Sequence, residues 1–246
     1  MDLIPIASDL WVAAQPLRFL GLEVGSRMSV IRLPSGKLVL ISPIELTESD
    51  RPALDRFGSV GHIIAPNLFH HLSLGKAQRL YPDAAAWGVV GLSDKRPGLR
   101  IDALFTQPGT FEGVLDYLPV EGFATVIPQG IRLIQETVFF HRPSSSLILT
   151  DTAFNFDATS SPGIRLFAQI SGSYAKLQPS WLEKWGSRDK AAVETSIRRV
   201  LKWPFDRVIP GHGSIVETNG KAKLRAGYEW FLDTDLGSST DSGVTA

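Results

Sequence analysis

The two halves of this sequence have the same order of predicted elements. In the first half, apolar segments at residues 27–33 and 37–41 flank the turn sequence PSG and predict a hairpin, which a helix, a strand and a second helix follow. In the second half, a hairpin with the turn sequence RPSS precedes helices, a strand and a final helix. Because an apolar sheet face must be buried against another layer, this order predicts two central sheets that face each other with helices outside. The predicted fold is a four-layer αββα sandwich of the α/β class.

Capping residues and prolines set the limits of the first predicted helices. Thr47, with Asp50 three residues later, has the character of a capping box and predicts a helix start. The apolar segment 60–65 predicts a short buried strand that ends before a proline. Ser73 predicts the start of a second helix, which continues through Leu80.

The second half is irregular at first and then helical. Residues 83–130 mix Pro, Gly and short apolar groups, so we expect irregular structure there apart from a strand at 84–90. Segments 131–140 and 146–149 predict the second hairpin, and 207–209 predicts a short strand. Two apolar stripes predict the last two helices. They consist of Val193, Ile197, Val200 and Leu201, and of Leu224, Tyr228, Phe231 and Leu232.

Length and composition limit the number of domains and the kinds of partner. A chain of 246 residues, 43% of them hydrophobic, supplies one sizeable core, so we expect a single domain over residues 1–236. Residues 237–246 have almost nothing to bury and predict a disordered tail. The 25 basic and 25 acidic residues balance, and no long run of Lys or Arg occurs. Neither a nucleic acid nor a membrane is therefore expected as a partner.

Further features restrict the compartment and the chemistry. The sequence has no Cys, which excludes disulfides, thiolate metal sites and a Cys nucleophile. The start, MDLIPIASDL, lacks the basic and apolar regions of a secretory signal, and no apolar run approaches the ~20 residues that span a bilayer. We expect a cytoplasmic protein. The sequence indicates neither its small-molecule substrate nor its oligomeric state.

Groups able to bind a metal follow three of the apolar strands. The strand at 60–65 leads to His70 and His71, SLILTD ends in Asp151, and RVIPGH ends in His212. Loops at the carboxyl ends of strands often form sites, and imidazole and carboxylate suit Zn²⁺, Fe or Mn²⁺. Taken singly each signal is weak, since an Asp after a strand commonly caps a helix and a His between glycines is commonly structural. Their recurrence favours a shared metal site.

The other histidines and the competing motifs fit less well. His62 lies inside a predicted strand and is interpreted as a hydrogen-bonded structural residue. His141 lies at a hairpin turn, where it either caps the turn or leans toward the site. The sequence contains no Gly-x-Ser-x-Gly elbow, P-loop, dinucleotide fingerprint or His-Glu-x-x-His motif.

Four segments, RMSVIRLP, APNLFHHL, FFHRPSSSLILTD and VIPGHG, occur in this order. With them the chain resembles the metallo-β-lactamase-like superfamily from about residue 10 to 232, and within it an uncharacterised subgroup, a domain of unknown function. The resemblance implies the metallo-β-lactamase-like fold, also called the metallo-hydrolase-oxidoreductase fold.

The resemblance also implies that one of two metal positions is lost. The superfamily's first metal loop has the pattern His-x-His-x-Asp-His. Here Pro66 and Leu68 stand at the first two His positions, His70 at the Asp position and His71 at the last His. The third ligand of the first metal would fall near Arg132, where there is no His.

The second metal position retains four groups able to coordinate, namely His70, His71, Asp151 and His212. The resemblance implies one divalent ion, zinc or alternatively Fe or Mn, and a bound water whose pKa the ion lowers toward ~7. The first hypothesis is therefore a metal-dependent hydrolase, with an oxidoreductase as its variant. The replaced Asp orients the attacking water in many relatives. The second hypothesis is thus a catalytically degenerate binding module without metal, in which the two adjacent imidazoles hydrogen-bond Asp151.

Overall fold

The computed structural model describes residues 1–237, so the predicted tail 237–246 lies outside the described residues except for its first residue. The first sheet has seven strands in the spatial order β1-β2-β5-β6-β7-β8-β9. They are β1 (Ile4–Ala7), β2 (Leu10–Gln15), β5 (Ser26–Arg32), β6 (Leu38–Ile41), β7 (Val60–Ile64), β8 (Ala85–Val89) and β9 (Ala103–Phe105). A separate small hairpin consists of β3 (Arg18–Phe19) and β4 (Leu22–Glu23).

The second sheet has five strands in the spatial order β10-β11-β14-β15-β16. They are β10 (Gly109–Phe111), β11 (Leu115–Pro119), β14 (Thr137–His141), β15 (Ser146–Ile148) and β16 (Arg207–Ile209). Another two-stranded hairpin consists of β12 (Ala124–Ile127) and β13 (Gly130–Leu133).

Seven α-helices complete the described chain. They are α1 (Arg51–Asp55), α2 (Leu74–Leu80), α3 (Leu92–Lys95), α4 (Pro162–Ile170), α5 (Trp181–Gly186), α6 (Lys190–Val200) and α7 (Gly220–Leu232). Two 3-10 turns, Glu48–Asp50 and Arg142–Ser144, precede α1 and β15. Within residues 1–237, no helix combines the length and the apolar character needed to cross a membrane.

The layers follow from the alternation of side chains along β14. Phe139 belongs to the core cluster that also contains the strands of the first sheet. Its neighbours Val138 and Phe140 belong to a second cluster, which α6 and α7 complete. Because successive strand residues point to opposite faces, the second sheet packs on the first sheet with one face and on helices with the other.

The first sheet is covered on both faces. All four residues of β6 are buried, and the inner residues of α1 and α2 pack in the same cluster. Continuous burial along a strand is expected where a sheet has a layer on each side. The predicted αββα order is therefore confirmed.

The predicted elements are confirmed where local signals are strong. The hairpin of β5 and β6 forms, and Thr47 makes the capping box with Asp50. The prediction of irregular structure over residues 83–130 was wrong beyond β8, since α3 and the strands β9 to β12 lie there. The predicted strand 131–140 was also wrong in part: it is divided, and its first residues pair back with β12.

Candidate metal site

Three loops that follow strands bring polar side chains together. β15 and β16 are parallel and pair Ile148 with Ile209, so Asp151 and His212 both lie three residues beyond a paired position. Parallel strands bring their carboxyl ends to the same edge of a sheet, which places these two side chains next to each other. His70 comes from the loop after β7, in the other sheet. The site therefore joins the two sheets.

The ligand atoms of His70, Asp151 and His212, called the triad below, lie within 4.8 Å of one another. The Nε2 atoms of His70 and His212 are 3.0 Å apart, and each lies 3.4 Å from Oδ1 of Asp151. A tetrahedral ion with bonds of about 2.0–2.1 Å holds its ligands about 3.3 Å apart. The spacing of the triad therefore fits one transition-metal ion.

Hydrogen bonds behind the imidazoles fix which nitrogen faces the site. Nδ1 of His212 lies 2.6 Å from the carbonyl oxygen of Gly25, which only accepts, so this nitrogen carries the hydrogen. Nδ1 of His70 lies 2.7 Å from Oγ of Ser42. When it donates to that hydroxyl, both Nε2 atoms present lone pairs, as metal ligands must. Lone pairs that converge at these distances repel one another unless a proton or a cation lies between them.

The triad is buried and interacts strongly. Burial opposes ionisation of Asp151, but the two imidazoles outweigh it and hold the pKa of this carboxyl well below its usual range. For His70, burial lowers the pKa, yet the Asp151 carboxylate prevails and raises it. The site thus stabilises a positive charge beside the carboxylate of Asp151.

Glu136 holds the loop that carries Asp151. Its carboxylate is fully buried and accepts from the backbone N–H groups of Thr150 and Asp151 at 2.6 Å and of Thr152 at 3.1 Å. Burial and the charge of Asp151 raise the pKa of Glu136, whereas these hydrogen bonds oppose that rise. Among residues 1–237, neither buried carboxylate has a Lys or Arg partner within 4.0 Å. A divalent cation at the triad would supply the missing countercharge.

Asn67 links two ligands that are distant in the chain, His70 and Asp151. Its Nδ2 donates to Oδ2 of Asp151 at 2.7 Å, and its Oδ1 accepts from the backbone N–H of His70 at 2.7 Å. The same oxygen accepts from the N–H of Phe69 at 2.7 Å, which makes an Asx-type turn. This fully buried side chain is thus a positioning residue for the site.

Arg27 holds the third ligand loop. Its guanidinium donates to the carbonyl of Pro210 and, at 2.7 Å, to the carbonyl of Gly213, on either side of His212. Burial lowers the pKa of Arg27. This arginine opens the segment RMSVIRLP, so the interaction gives that segment a role at the site.

Two glycines allow the close approach of the loops. A Cβ on Gly211 would lie 3.1 Å from Cε1 of His70 and 3.0 Å from Cα of Thr150. Gly213 has φ +79°, and a Cβ there would lie 2.2 Å from the carbonyl oxygen of Asn155. Backbone packing therefore requires a glycine at position 213, and at position 211 a Cβ would push against Thr150 and the His70 ring.

The structure does not bring the fourth predicted ligand, His71, to the triad. Nδ1 of His71 lies 3.3 Å from Nη1 of Arg96, which donates to it, so the hydrogen of the neutral ring is on Nε2. Burial and the charges of Lys95 and Arg96 lower the pKa of His71 to about 4. His71 lines the same cavity as the triad, but its Nδ1 accepts a hydrogen bond from the cationic side chain of Arg96.

The remaining histidines lie in structural positions. Nδ1 of His62 accepts from Nε1 of Trp87 at 3.1 Å, within a cluster of aromatic rings. Nδ1 of His141 lies 2.7 Å from Oγ of Ser144, in the turn before β15. Neither ring belongs to the triad. Of the two positions considered for His141, the structure places its side chain in the hairpin turn and not in the metal site.

The positions that resemble the superfamily's first metal loop hold no ligand. Pro66 is buried and accepts a backbone hydrogen bond from Thr137, while the Leu68 side chain packs against the first core cluster. Arg132 is exposed. These residues supply no nitrogen or carboxylate to a second ion beside the triad.

The fold is similar to that of metallo-β-lactamases. A metallo-beta-lactamase from Pontibacter korlensis superposes with a TM-score of 0.63 at 13% identity, covering 95% of this chain and 99% of that one. The metallo-beta-lactamase FIM-1 from Pseudomonas aeruginosa, in its mono-zinc form, gives 0.59 at 9% identity, with 94% and 93% covered. The metal-soaked Flv1 flavodiiron core from Synechocystis sp. PCC6803 gives 0.62 at 16% identity, with 94% of this chain and 60% of that one covered. The chain has the metallo-β-lactamase-like fold, as the resemblance implied.

The sequence itself matches one family model. The family described as a domain of unknown function (DUF4336) matches residues 7–175, which is more than half of the chain, so the chain belongs to this family. The match includes His70 and Asp151 and ends before His212. No curated protein matches the chain.

Proposed function

We propose that this protein is a metal-dependent hydrolase that uses one divalent ion, held by His70, Asp151 and His212. The observation that carries the proposal is the convergence of two Nε2 atoms and one carboxylate oxygen at 3.0–3.4 Å. The first metal position of the superfamily has no ligands here, which supports a single ion. Three protein ligands with open positions are typical of catalytic rather than structural zinc sites.

The donor set suits zinc first, with Fe or Mn as alternatives, since it combines two imidazoles and one carboxylate without sulfur. A divalent ion at this place would supply Lewis-acid polarisation of a substrate carbonyl or phosphoryl oxygen. The chain's own residues orient the ligands through Gly25, Ser42 and Asn67. Phe154, whose ring centroid lies 5.9 Å from that of His212, adds an apolar surface beside the triad.

Metal analysis tests the proposal directly. The protein is purified without a His-tag, stripped with a chelator, and reconstituted separately with Zn²⁺, Fe²⁺ and Mn²⁺ before mass-spectrometric metal counting. We expect one ion per chain, and its loss in His212→Ala. The matched control His62→Gln, outside the triad, retains the ion. Clearly less than one ion per chain with all three metals contradicts the proposal.

A hydrolase assay then separates the first hypothesis from the second. The reconstituted protein is screened against carboxylic esters, thioesters, amides and phosphodiesters. Turnover that requires His70 and the added metal supports the hydrolase. The metal-free binding module, which Pro66 and Leu68 at ligand positions favour, predicts a different result. Under that hypothesis, small ligands should raise the melting temperature of the protein and added metals should leave it unchanged.

A further inference from the structure

A cavity of about 530 Å³ opens onto the triad. This volume is within the range of about 300–1,000 Å³ that small-molecule sites occupy. His70, Asp151 and His212 belong to its wall, and their side chains are only 6%, 13% and 8% exposed. The triad therefore lies at the buried end of the cavity.

The wall beside the triad is mostly apolar. On one side it includes Phe156 and Ile164, which form a small core cluster of their own with partly buried Phe154 and Phe167. The wall also includes Phe69. Toward the open end, Leu20 and Leu72 are 61% and 63% exposed. An apolar wall continuous with exposed apolar side chains favours a ligand with an apolar body.

At the open end of the cavity, the exposed charged side chains of the wall are all positive. Arg18, Lys95 and Arg96 are exposed there, and none has a carboxylate within 4.0 Å among residues 1–237. The Nζ of Lys95 lies 4.6 Å from the centre of the Phe69 ring, so it contacts the apolar wall directly. Burial and the charges of Arg96 and Arg132 lower the pKa of Lys95, as expected for neighbouring cations.

The acidic groups of the wall do not neutralise these cations. Glu183 is 5% exposed, and its carboxylate accepts from Oγ1 of Thr125 at 2.7 Å and from the backbone N–H of Ser180 at 2.8 Å. Asp151 is held by the two imidazoles and Asn67.

Lys95 donates to the carbonyl of Leu68 at 2.6 Å and Arg96 to Nδ1 of His71 at 3.3 Å, so both have neutral partners. An anion at the open end would thus meet cations that no carboxylate neutralises.

We propose that the cavity binds an amphipathic anion, with an acyl or aromatic body against the apolar wall and a carboxylate or phosphate group at Lys95 and Arg96. This inference deepens the proposed function, on which it rests for the reaction itself, by naming the substrate class: a hydrolysable apolar compound that carries an acidic group. Recognition at the open end leaves the apolar body next to the triad.

Two fluorescent probes that differ mainly in charge test the proposal. 1-Anilinonaphthalene-8-sulfonate and N-phenyl-1-naphthylamine share an aromatic body, and only the first carries an anionic group. Both are titrated into the full chain after metal removal with EDTA, so that the result does not depend on metal binding. We expect one sulfonate probe per chain, bound more tightly than the neutral probe, with an affinity that falls as salt is added.

A double variant locates the charged contact. Lys95→Gln/Arg96→Gln should weaken binding of the sulfonate probe about 2- to 30-fold and leave binding of the neutral probe unchanged, since the double variant removes two contacts of exposed charges. The control Arg188→Gln/Lys202→Gln removes two exposed cations outside the cavity and should change neither. Equal affinity of both probes, or no effect of the first double variant, overturns the proposal.

Competition identifies the acidic group. Dodecanoate and dodecyl phosphate, below their micelle concentrations, should displace the sulfonate probe, and the more effective one assigns carboxylate or phosphate. Dodecanol should be much weaker, and equal displacement by the alcohol contradicts the need for an anion. If the protein holds no metal but passes these tests, the hydrolase proposal fails and the binding proposal stands. If it binds metal but does not discriminate between the charged and neutral probes, the binding proposal fails and the metal site stands.

Discussion

Replacing Asn67 by alanine should loosen the triad and the fold together. The change leaves four groups without their partner: Oδ2 of Asp151 and Oγ1 of Thr150, to which Asn67 donates at 2.7 and 2.9 Å, and the backbone N–H groups of Phe69 and His70. An unsatisfied buried polar group costs about 1–3 kcal/mol. Because water can reach the two partly buried N–H groups, we expect a loss of about 3–6 kcal/mol in the free energy of unfolding. This is a large share of the about 5–15 kcal/mol typical of a protein.

The effect on metal affinity is a separate quantity. Residues that orient metal ligands commonly contribute about 10–100-fold to affinity. We expect Asn67→Ala to raise the dissociation constant for Zn²⁺ by that factor, measured by competition with a chromophoric chelator. Urea unfolding of the metal-free protein measures the change in the free energy of unfolding independently.

A second variant separates the two roles of this side chain. Asn67→Asp keeps an oxygen that accepts from the two N–H groups but replaces the donor to Asp151 by a second carboxylate oxygen. We expect it to preserve the turn and still weaken zinc binding. If Asn67→Ala changes the unfolding free energy by less than about 1 kcal/mol and leaves zinc affinity within threefold, Asn67 does not position the ligands.

Three further changes address the supports of the site and the stability of the fold. Gly211→Ala should displace the His70 ring and weaken zinc binding about tenfold, whereas Gly98→Ala, where a Cβ meets nothing within 4 Å, should not. Arg27→Met should free the carbonyls beside His212 and destabilise the protein by about 2–4 kcal/mol in urea unfolding; an unchanged midpoint would count against this role. Burial lowers the pKa of Lys190 to about 8, so between there and the unfolded value of about 10.4 the unfolded chain binds more protons. Stability should therefore gain a contribution as pH rises through this window, and Lys190→Met should remove that gain.

Local signals in the sequence predicted many of the elements. β16 matches the predicted strand 207–209, and the capping residue Thr47 marks the start of its helical turn, because these features depend on a few neighbouring residues. The strands β9 to β12 were missed. They have three to five residues each, and β11 owes its place in the sheet to its pairing with β14, which lies farther along the chain. Short apolar groups between prolines and glycines carry no periodicity that would reveal such pairing.

The supporting residues of the site were also missed, for a related reason. Asn67 lies in a strand-to-loop sequence that is typical of an Asx turn, so its turn role was accessible to sequence reasoning. Its bond to Asp151 was not, because it spans 84 positions. Glu136 and Arg27 look like ordinary charged residues at strand starts. Only their hydrogen bonds to the loops after β15 and β16 show that they hold ligand loops.

The sequence alone determined which residue types follow the strands, and with them the αββα order and a set of possible ligands. It did not determine which of the adjacent imidazoles His70 and His71 faces the metal position. That choice depends on the backbone of the loop after β7, which Asn67 fixes. It also depends on the partners of each ring, which are His212 and Asp151 for His70 and Arg96 for His71. Neighbouring side chains in a turn point in different directions, so only the packing of distant loops decides that three ligands meet and the fourth does not.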